Sequence, residues 1–591
     1  MAVYYLAKDG NDNNLGGITT PWLTFNYSTT RLVAGDTLYV RGGVYTESLL
    51  PSTNSGTLAN PITICNYPNE KPIIRGNYLI TLYKDYIYVS GFELDGTGGT
   101  TGLAIWMVGN NCKVSYCYVH DYQYGGILVA GDYGIVEYCE VTKISLYTRD
   151  NGGNNASAIS AARGRPSGTI EPNVTQYAIL RHNLAYNTWG EGVSCFESRY
   201  TILEDNVTYN HWSACLYVSD STDCLCQRNL VYQSSDRDPL FDTVGLQVGD
   251  ETYAPESARN TFINNIVYGC RRNLLFGKFN DVVVANNIFV NSTYFASVHI
   301  WNGQHGVGEF KNNIIIQEDS KCCIECGEPP LNPLFFSDVV FENNLYNKTP
   351  ASYWGIPYTT PITTVSDIIN DPLLCKQGSL LAGELTANYF KLQKGSPAVD
   401  AGVSLAQVVV DYYEVVRGNP PNIGALEQVC NIYYVAKTGS DSNDGSFASP
   451  WLTIMHAITH VTQYAGDTVY VRTGVYNEIV YFWDKGGSLN NPTTLSSYNN
   501  EQVTIDGTGI TIGEGSYLVA LWNDYISING IEVKNSCMYG EGRGGGIGLI
   551  GSNCKVSNCI VNNIFNTGVQ SIGDYNTIEN NTYHLRILAQ Q

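Results

Sequence analysis

The fold is decided by three stretches that share one arrangement: AILRHNLAYN at 178–187, TILEDNVTYN at 201–210 and CLCQRNLVYQ at 224–233. In each, an asparagine follows a strand-like run, and Asn183, Asn206 and Asn229 lie 23 residues apart. A repeat of this length, rich in β-branched and aromatic residues, predicts one turn of a solenoid whose turns stack in parallel. Each buried asparagine can hydrogen-bond its equivalent in the next turn, so we expect an asparagine ladder.

The same local setting recurs on both sides of these three turns. The predicted ladder positions are Asn265, Asn287, Asn313 and Asn344 downstream, and Cys117 and Cys139 upstream. The downstream intervals vary, so the extra residues must leave the turns as loops while the register is kept. An antiparallel sandwich is the alternative, and it would require a hairpin signal about every eight to twelve residues.

Composition favours a large, elongated, extracellular type of β protein. The chain has 591 residues, 59 glycines, 44 tyrosines and only 15% charged residues. Its net charge of −21 argues against nucleic acid and anionic membrane surfaces as partners, and it suits neutral glycans or bound cations. No apolar run approaches the roughly 18 residues of a membrane span. The start, MAVYYLAKDG, does not resemble a secretory leader, and we expect an extracellular or surface-associated protein whose leader has been removed.

The 17 cysteines are an odd number, so at least one has no partner for a disulfide within the chain. Cys117, Cys139 and Cys195 fall at predicted core positions, where a thiol acts as a small apolar group. The cluster of Cys322, Cys323 and Cys326 is open to two interpretations, a disulfide or a set of metal ligands. No second cysteine pair or histidine follows at ligand spacing, which disfavours zinc.

The chain repeats its own beginning near residue 430. The residues YYLAK at 4–8 recur as YYVAK at 433–437, and GDTLYVR at 35–41 recurs as GDTVYVR at 466–472. The second copy stops at Gln591, so it holds only the opening turns.

YYVAKTGSDSNDGSFASPWLTI followed by AGDTVYVRTGVYNE resembles the opening segment of right-handed parallel β-helix proteins of the pectate-lyase-like superfamily. NDPL at 370–373, GSPAVDAG at 395–402 and NIGALE at 422–427 resemble the closing segment. The resemblance implies an all-β, right-handed parallel β-helix at about 60–350, with caps at 1–59 and 351–429. We therefore assign 1–350 to the first cap and helix, 351–429 to a closing segment and 430–591 to a partial second helix.

Alternation along the strands separates core from surface. Positions such as Leu216 and Val218 are expected to face inward, and the most polar column follows directly after these strands. The candidate catalytic residues are Arg163, Glu197, Asp220, Asp250 and Lys278. Neighbouring turns lie about 4.8 Å apart, so stacked carboxylates would raise one another's pKa or bind calcium. The alternative is an exposed rim, because turns favour such residues anyway.

A candidate substrate trough lies beside that column. Its predicted binding residues are Tyr217, Gln247, His299, Trp301 and Asn302. Aromatic faces stack on sugar rings while polar neighbours orient hydroxyls. The loop SSDRDPLFDT adds three carboxylates, Asp236, Asp238 and Asp242, as a candidate calcium site, although it lacks the glycine and terminal glutamate of a regular calcium loop.

Two classes of function follow from these patterns. One is an extracellular carbohydrate-active enzyme that cleaves a polysaccharide, either as a lyase or as a hydrolase using two of the carboxylates. The other is a non-catalytic glycan-binding surface protein, such as an adhesin or a tailspike-type fibre. Pectate lyases of family nine resemble the chain at its opening segment, but their catalytic lysine in G-F-K has no counterpart in the outward column here. The segment TWGEG at 188–192 has a carboxylate, Glu191, beside a glycine, but it lacks the tandem aspartates of those lyases.

Overall fold

The computed structural model describes the chain apart from residues 78, 100–101, 147–148, 150–155, 163–173, 250–256, 278, 295, 301–306, 327–338, 349–350, 354–355, 358–363, 377, 428, 464–465, 490, 513–515, 537–544 and 585–591. It divides into two compact units. Unit 1 comprises Met1–Pro372, Gly378–Ala387 and Pro397–Glu427, and unit 2 comprises Leu373–Gln377, Asn388–Ser396 and Gln428–Gln591.

Unit 1 is a parallel β-helix with three sheets, each built from one strand per turn. In the described residues the first sheet has Val3–Leu6, Thr37–Val40, Ile62–Asn66, Ile87–Ser90, Lys113–Ser115, Ile135–Glu137, Ile179–Arg181, Ile202–Glu204, Leu225–Gln227, Thr261–Ile263, Val282–Ala285, Gly308–Lys311, Val339–Glu342 and Thr364–Val365. The second has Gly43–Tyr45, Pro72–Arg75, Glu93–Asp95, Tyr118–His120, Glu140–Thr142, Leu184–Thr188, Val207–His211, Leu230–Tyr232, Ile266–Tyr268, Ile288–Val290, Ile314–Ile316, Leu345–Tyr346 and Ile368–Ile369. The third has Ile80–Leu82, Ile105–Met107, Ile127–Val129, Ile159–Ala161, Val193–Phe196, Ala214–Ser219, Val244–Gly249, Arg272–Phe276, Val298–Ile300, Ile324–Cys326, Ala351–Tyr353 and Ile356–Pro357. Only the last pair of the third sheet is antiparallel among these strands, so the sandwich alternative is excluded.

The asparagine ladder is confirmed. The Asn183 side-chain amide donates to Asn206 Oδ1 at 3.0 Å, and Asn206 donates in the same way to Asn229 Oδ1 at 3.0 Å. The series of hydrogen bonds between side-chain amides continues through Asn265, Asn287, Asn313 and Asn344. Upstream, the backbone N–H of Cys139 donates to Asn183 Oδ1, so the cysteine stands in the same column.

A left-handed backbone position precedes each ladder residue and makes the sharp turn between the first and second sheets. The residues there include His182, Asp205, Arg228 and Asn264, with φ between 52° and 57°. Asparagine and aspartate tolerate this region better than most side chains. Two residues therefore define the corner, one that turns the chain and one that bonds to the next turn.

Strand alternation fills the interior of unit 1 with apolar side chains. In the third sheet Leu216, Val218, Leu246 and Val248 are fully buried, as the alternation predicts. Cys117, Cys139 and Cys195 are also buried, as predicted. Cys322 is half-buried and Cys323 is fully buried, whereas the side chain of Cys326 lies outside the described residues.

The strands of unit 1 extend into both segments that the sequence assigns to caps. They begin at Val3 and continue to Ile369, because the cap residues supply the edge strands of the same sheets. Helix α1, Phe25–Thr29, covers the opening turn, and the Thr24 hydroxyl caps it by accepting the N–H of Tyr27. No helix in the described part of the chain is long and apolar enough to cross a membrane.

Unit 2 has three parallel sheets of its own. Among the described residues these are Ile432–Val435, Thr468–Val471, Thr493–Ser497, Ile526–Asn529, Lys555–Ser557 and Thr577–Glu579; then Gly474–Tyr476, Val503–Asp506, Glu532–Lys534, Ile560–Asn562 and Thr582–His584; then Val480–Phe482, Tyr517–Leu521, Gly545–Leu549 and Val569–Ser571. Helix α2, Ile454–His460, is capped by Thr453 in the way that Thr24 caps α1.

A disulfide joins Cys375 to Cys430. Short elements complete the chain: the strand pairs Thr175–Gln176 with Ser198–Arg199 and Leu392–Gln393 with Val429–Cys430, and 3-10 helices at Ala387–Phe390 and Tyr498–Asn500.

Candidate active site

The outward face of the third sheet carries the predicted substrate-binding column. The register aligns Ser194 with Tyr217, Tyr217 with Gln247, and Leu275 with His299. The next strand extends the column beyond His299 to Glu325. The order matches the alternation in the sequence, so one face of unit 1 brings these side chains together.

Tyr217 belongs to an apolar patch on this face. It packs with Phe196, Ala214, Val244 and Leu275, and its ring meets that of Phe196 edge to face at 5.1 Å. A Cβ atom at Gly249 would lie 2.4 Å from the Tyr217 hydroxyl, so the absence of a side chain there makes room for the ring. Tyr217 is only 2% exposed, which shows a packing contact rather than an open stacking surface.

Glu197 and Asp220 occupy consecutive turns directly after strands of the third sheet. The backbone N–H of Glu197 donates to Ser219 O at 3.2 Å, so the two turns are hydrogen-bonded neighbours. Asp220 is fully buried and its Oδ2 accepts the Ser219 hydroxyl at 2.7 Å. The two residues therefore follow one another in the backbone register of neighbouring turns, as the alignment of the turns predicts. The other predicted members, Arg163, Asp250, Lys278, Trp301 and Asn302, lie outside the described residues.

A second group of ionisable side chains lies further along the same face. Arg272 Nε donates to His299 Nδ1 at 2.7 Å, and His299 is aligned with Glu325 on the adjacent strand. Arg272 and Glu325 are half-buried, while His299 is 6% exposed. Three groups able to bind charge or move protons therefore stand on three successive strands.

The pKa values in this group are shifted by burial and by like charge. Burial, assisted by the nearby Arg272 cation, lowers the pKa of His299 to about 4. Burial, assisted by the neighbouring Arg271, lowers the pKa of Arg272 to about 10, so it remains protonated at neutral pH. Burial raises the pKa of Glu325 above that of an ordinary glutamate. Since Nδ1 of the neutral imidazole accepts from Arg272, its proton lies on Nε2.

This arrangement provides cationic and proton-transfer groups side by side. Two adjacent guanidinium groups, Arg271 and Arg272, create a positive region within a chain of net charge −21. Such a region suits the carboxylate of an acidic sugar. A glutamate with a raised pKa is closer to the operating range of a general base or acid. Clusters of shifted pKa values are typical of functional sites.

The predicted calcium loop does not gather its carboxylates. Asp236 Oδ1 accepts the backbone N–H of Ala382, and Asp238 Oδ1 accepts that of Leu240. Asp242 Oδ1 instead accepts from the Thr293 hydroxyl at 3.5 Å. The three aspartates do not form a group of metal-ligating atoms within 4.8 Å of one another in the part of the chain that is described. The residues present do not fit a calcium ion there, because each carboxylate bonds to a different segment.

The described residues do contain one such group, Glu93, Asp95 and His120 on the second sheet. Lys71 forms an ion pair with Glu93, and Arg75 pairs with Asp95 at 2.7 Å. These cations already neutralise the carboxylates, so the cluster is better explained as an ion-pair network than as a metal site.

Arg272 and Glu325 are not among the site residues predicted from the sequence. Arg272 has the same parity as the core residues Leu274 and Phe276, so alternation predicts that it faces inward. It begins its strand, and its side chain reaches His299 on the outward face. The outward position of Glu325 could have been predicted from strand alternation. Glu325 lies between Ile324 and Cys326, just as His299 lies between Val298 and Ile300.

A family model described as the Pel9A-like, right-handed β-helix region matches residues 4–225 and 433–587, which together form more than half of the chain. Uncharacterized protein YwoF of Bacillus subtilis (strain 168) is 28% identical over 143 residues, which cover 24% of this chain and 29% of YwoF. Pectate lyase PEL9 of Emericella nidulans is 26% identical over 171 residues, which cover 28% of this chain and 37% of PEL9. The matches thus span about a third of the length of each relative.

Among solved structures, pectate lyase Pel9A aligns with 72% of this chain and 96% of its own, at 14% identity and a TM-score of 0.39.

Proposed function

Because the chain belongs to the family of Pel9A-like right-handed β-helix regions, we propose that it is an extracellular carbohydrate-active enzyme. It cleaves a polysaccharide along the outward face of the third sheet. The observation that carries the proposal is the Arg272–His299–Glu325 group, in which a cation, a neutral imidazole and a carboxyl group of raised pKa occupy successive strands. Similarity to a pectate lyase supports an acidic polysaccharide as substrate.

The favoured reaction is β-elimination at a uronate unit. Arg272, with Arg271 beside it, pairs with the sugar carboxylate and thereby makes the proton on the neighbouring carbon more acidic. Ionised Glu325 takes that proton, a carbon–carbon double bond forms, and the bond to the leaving oxygen breaks. Glu325 then returns the proton to the departing oxygen. His299 donates through Nε2 and holds the substrate in position.

Hydrolysis is the second candidate, with Glu197 and Asp220 on consecutive turns as its two carboxylates. It requires Asp220, which is fully buried, to become accessible when a substrate binds. Two carboxylates that flank a glycosidic bond can act as acid and as base or nucleophile. In this mechanism water adds to the cleaved bond, so the products contain no new double bond. The two candidates therefore differ in a product that can be measured directly.

The test is incubation with acidic and neutral polysaccharides, following both reducing ends and the ultraviolet absorbance of unsaturated products. β-Elimination predicts that both signals rise with polygalacturonate or another polyuronate, and that Arg272→Gln and Glu325→Gln lose at least about a hundredfold in rate. Arg259→Gln is the matched control, because Arg259 is an exposed arginine paired with Asp223 on a turn outside this face. Reducing ends without absorbance would identify hydrolysis. Binding without either product would contradict the enzyme proposal.

A further inference from the structure

Helix α2 of unit 2 carries two histidines, His456 and His460, four residues apart. Residues at this spacing lie on the same face of a helix. The centroids of the two imidazole rings are 4.2 Å apart, and the ring planes are inclined at 32° to one another. His456 is half-buried and His460 is exposed, so solvent reaches the pair. Two histidines in this arrangement can bind one metal ion between them.

Hydrogen bonding fixes the orientation of the His460 ring. Its Nδ1 lies 2.8 Å from the backbone carbonyl oxygen of His456, and a carbonyl oxygen can only accept, so Nδ1 carries a proton. In the neutral imidazole Nε2 then keeps its lone pair for a ligand bond. Histidines that bind metals typically donate their second nitrogen to a backbone carbonyl or a carboxylate in this way. Within the described part of the chain, neither ring nitrogen of His456 has a hydrogen-bond partner.

The indole ring of Trp451 packs against both imidazoles. Its centroid lies 5.2 Å from that of His456 and 4.9 Å from that of His460. Trp451 is 3% exposed, and its Nε1 donates to Asn443 O at 2.7 Å, so the indole is itself held in place. The two imidazoles therefore lose little rotational freedom when they bind an ion, which favours binding.

The equivalent positions of unit 1 hold a different pair of side chains. The repeated segment PWLT aligns Trp22 with Trp451, and this places Tyr27 and Arg31 at the positions of His456 and His460. Arg31 Cζ lies 3.3 Å from the centroid of the Tyr27 ring, so a cation–π contact joins the two positions in unit 1. In unit 2 a cation shared by the two imidazoles would join the same two positions.

We propose that His456 and His460 form a binding site for one divalent transition-metal ion of the Zn²⁺, Ni²⁺ or Cu²⁺ type, with water completing its coordination. Imidazole nitrogen suits these ions, whereas Ca²⁺ and Mg²⁺ prefer oxygen ligands. The site is independent of the proposed carbohydrate chemistry, because it lies in unit 2 and uses none of the residues of the candidate active site.

The bound ion stabilises the opening turns of unit 2. Helix α2 packs against the strands Ile432–Val435 and Val480–Phe482, and its Ile454, Ala457 and Ile458 side chains are buried in the core of the unit. An ion that bridges His456 and His460 holds two consecutive turns of the helix together. Because the unfolded chain does not hold the two imidazoles side by side, binding favours the folded state by mass action.

The test is calorimetric titration of the full chain, without a histidine tag, with Ni²⁺, Zn²⁺ and Ca²⁺. We expect the parent to bind one Ni²⁺ or Zn²⁺ at this site and not to bind Ca²⁺ there. His456→Gln and His460→Gln should each weaken binding of Ni²⁺ at least about tenfold, because loss of a ligand costs no less than loss of the group that orients it. Thermal unfolding of the parent should shift to higher temperature with Ni²⁺, and this shift should be absent from both variants.

A double variant separates the metal from the fold of the helix. His456→Tyr combined with His460→Arg recreates the pair that unit 1 has in Tyr27 and Arg31. With EDTA present, it should unfold at the temperature of the parent. Addition of Ni²⁺ should then raise the unfolding temperature of the parent alone.

Failure of the parent to bind Ni²⁺ or Zn²⁺ would overturn the site, and so would equal affinity in the parent and both single variants. His120→Gln is the control for the described group of Glu93, Asp95 and His120, and it should leave the affinity unchanged. If His120→Gln abolished binding while His456→Gln bound normally, the ion would lie on the second sheet of unit 1 and the proposal would be wrong.

Discussion

Asp367 Oδ1 accepts the backbone N–H of Asn344 at 2.7 Å and so closes the asparagine ladder of unit 1 with a carboxylate. The Asn344 side-chain amide also points to this oxygen, at 3.4 Å. Burial raises the pKa of Asp367, and hydrogen bonds from Asn344 offset only part of this effect. The last rung is thus an acid in a column that otherwise uses amides.

We predict that Asp367→Asn raises the melting temperature at pH 7. Since the folded pKa is raised, ionisation of Asp367 disfavours folding, and this cost is removed as the pH falls through the folded pKa towards the unfolded value near 4. The increase in melting temperature caused by Asp367→Asn should therefore be largest at neutral pH and should become smaller as the pH falls. Thermal unfolding of both proteins between pH 7 and 4 measures this, and a gain that grows as the pH falls would contradict it.

Two buried histidines should make unit 1 sensitive to mild acid. Burial lowers the pKa of His299 to about 4 and that of His211 to about 3. An unfolded histidine titrates near 6.5, so between these values the unfolded chain binds more protons and stability falls as the pH falls. Each group can add a slope of up to about 1.4 kcal/mol per pH unit in this window.

We predict that His299→Gln and His211→Gln each flatten the dependence of unfolding free energy on pH between about 6.5 and 4. Denaturant unfolding at several pH values provides the measurement. His460→Gln is a suitable control, because His460 is exposed on helix α2 in unit 2. Unchanged slopes in both variants would show that these histidines are protonated in the folded protein.

Periodicity predicted the β-helix because the backbone pattern repeats in every turn, as Asn183, Asn206 and Asn229 show. It also predicted that Tyr217, Gln247 and His299 share one face. It could not predict that Tyr217 is buried, because its cover comes from residues that are distant in sequence. Strand alternation assigns Arg272 to the inward face, so it was not predicted as a site residue. A long side chain at the start of a strand can turn away from the face that alternation assigns to it.

Asp220 and Glu579 offer a direct comparison of the two units. Asp220 is fully buried in the turn after a strand of the third sheet, whereas Glu579 is exposed and paired with Lys555 at 2.7 Å. If cleavage is hydrolytic, we predict that Asp220→Asn lowers it at least about a hundredfold, whereas β-elimination by Arg272 and Glu325 does not use Asp220. Glu579→Gln should leave cleavage unchanged in either case. Asp250→Asn should resemble Asp220→Asn if both belong to one acidic column. Full activity in a fragment of residues 430–591 would show that the active site lies in unit 2, and it would contradict the prediction.

Variants of Tyr217 and Trp301 test packing and ligand binding separately. Tyr217 is 2% exposed and packs against Phe196, Val244 and Leu275, so Tyr217→Ala should destabilise the protein by about 3–5 kcal/mol, the usual cost of removing a large buried aromatic ring. Trp301 is predicted by alternation to face outward, and Trp301→Ala should instead weaken oligosaccharide binding by about 1–3 kcal/mol. Chemical unfolding and fluorescence titration with oligosaccharides measure the two effects. If Trp301→Ala lowers the melting temperature strongly and leaves affinity unchanged, Trp301 is also a packing residue, and the predicted trough is absent at this position.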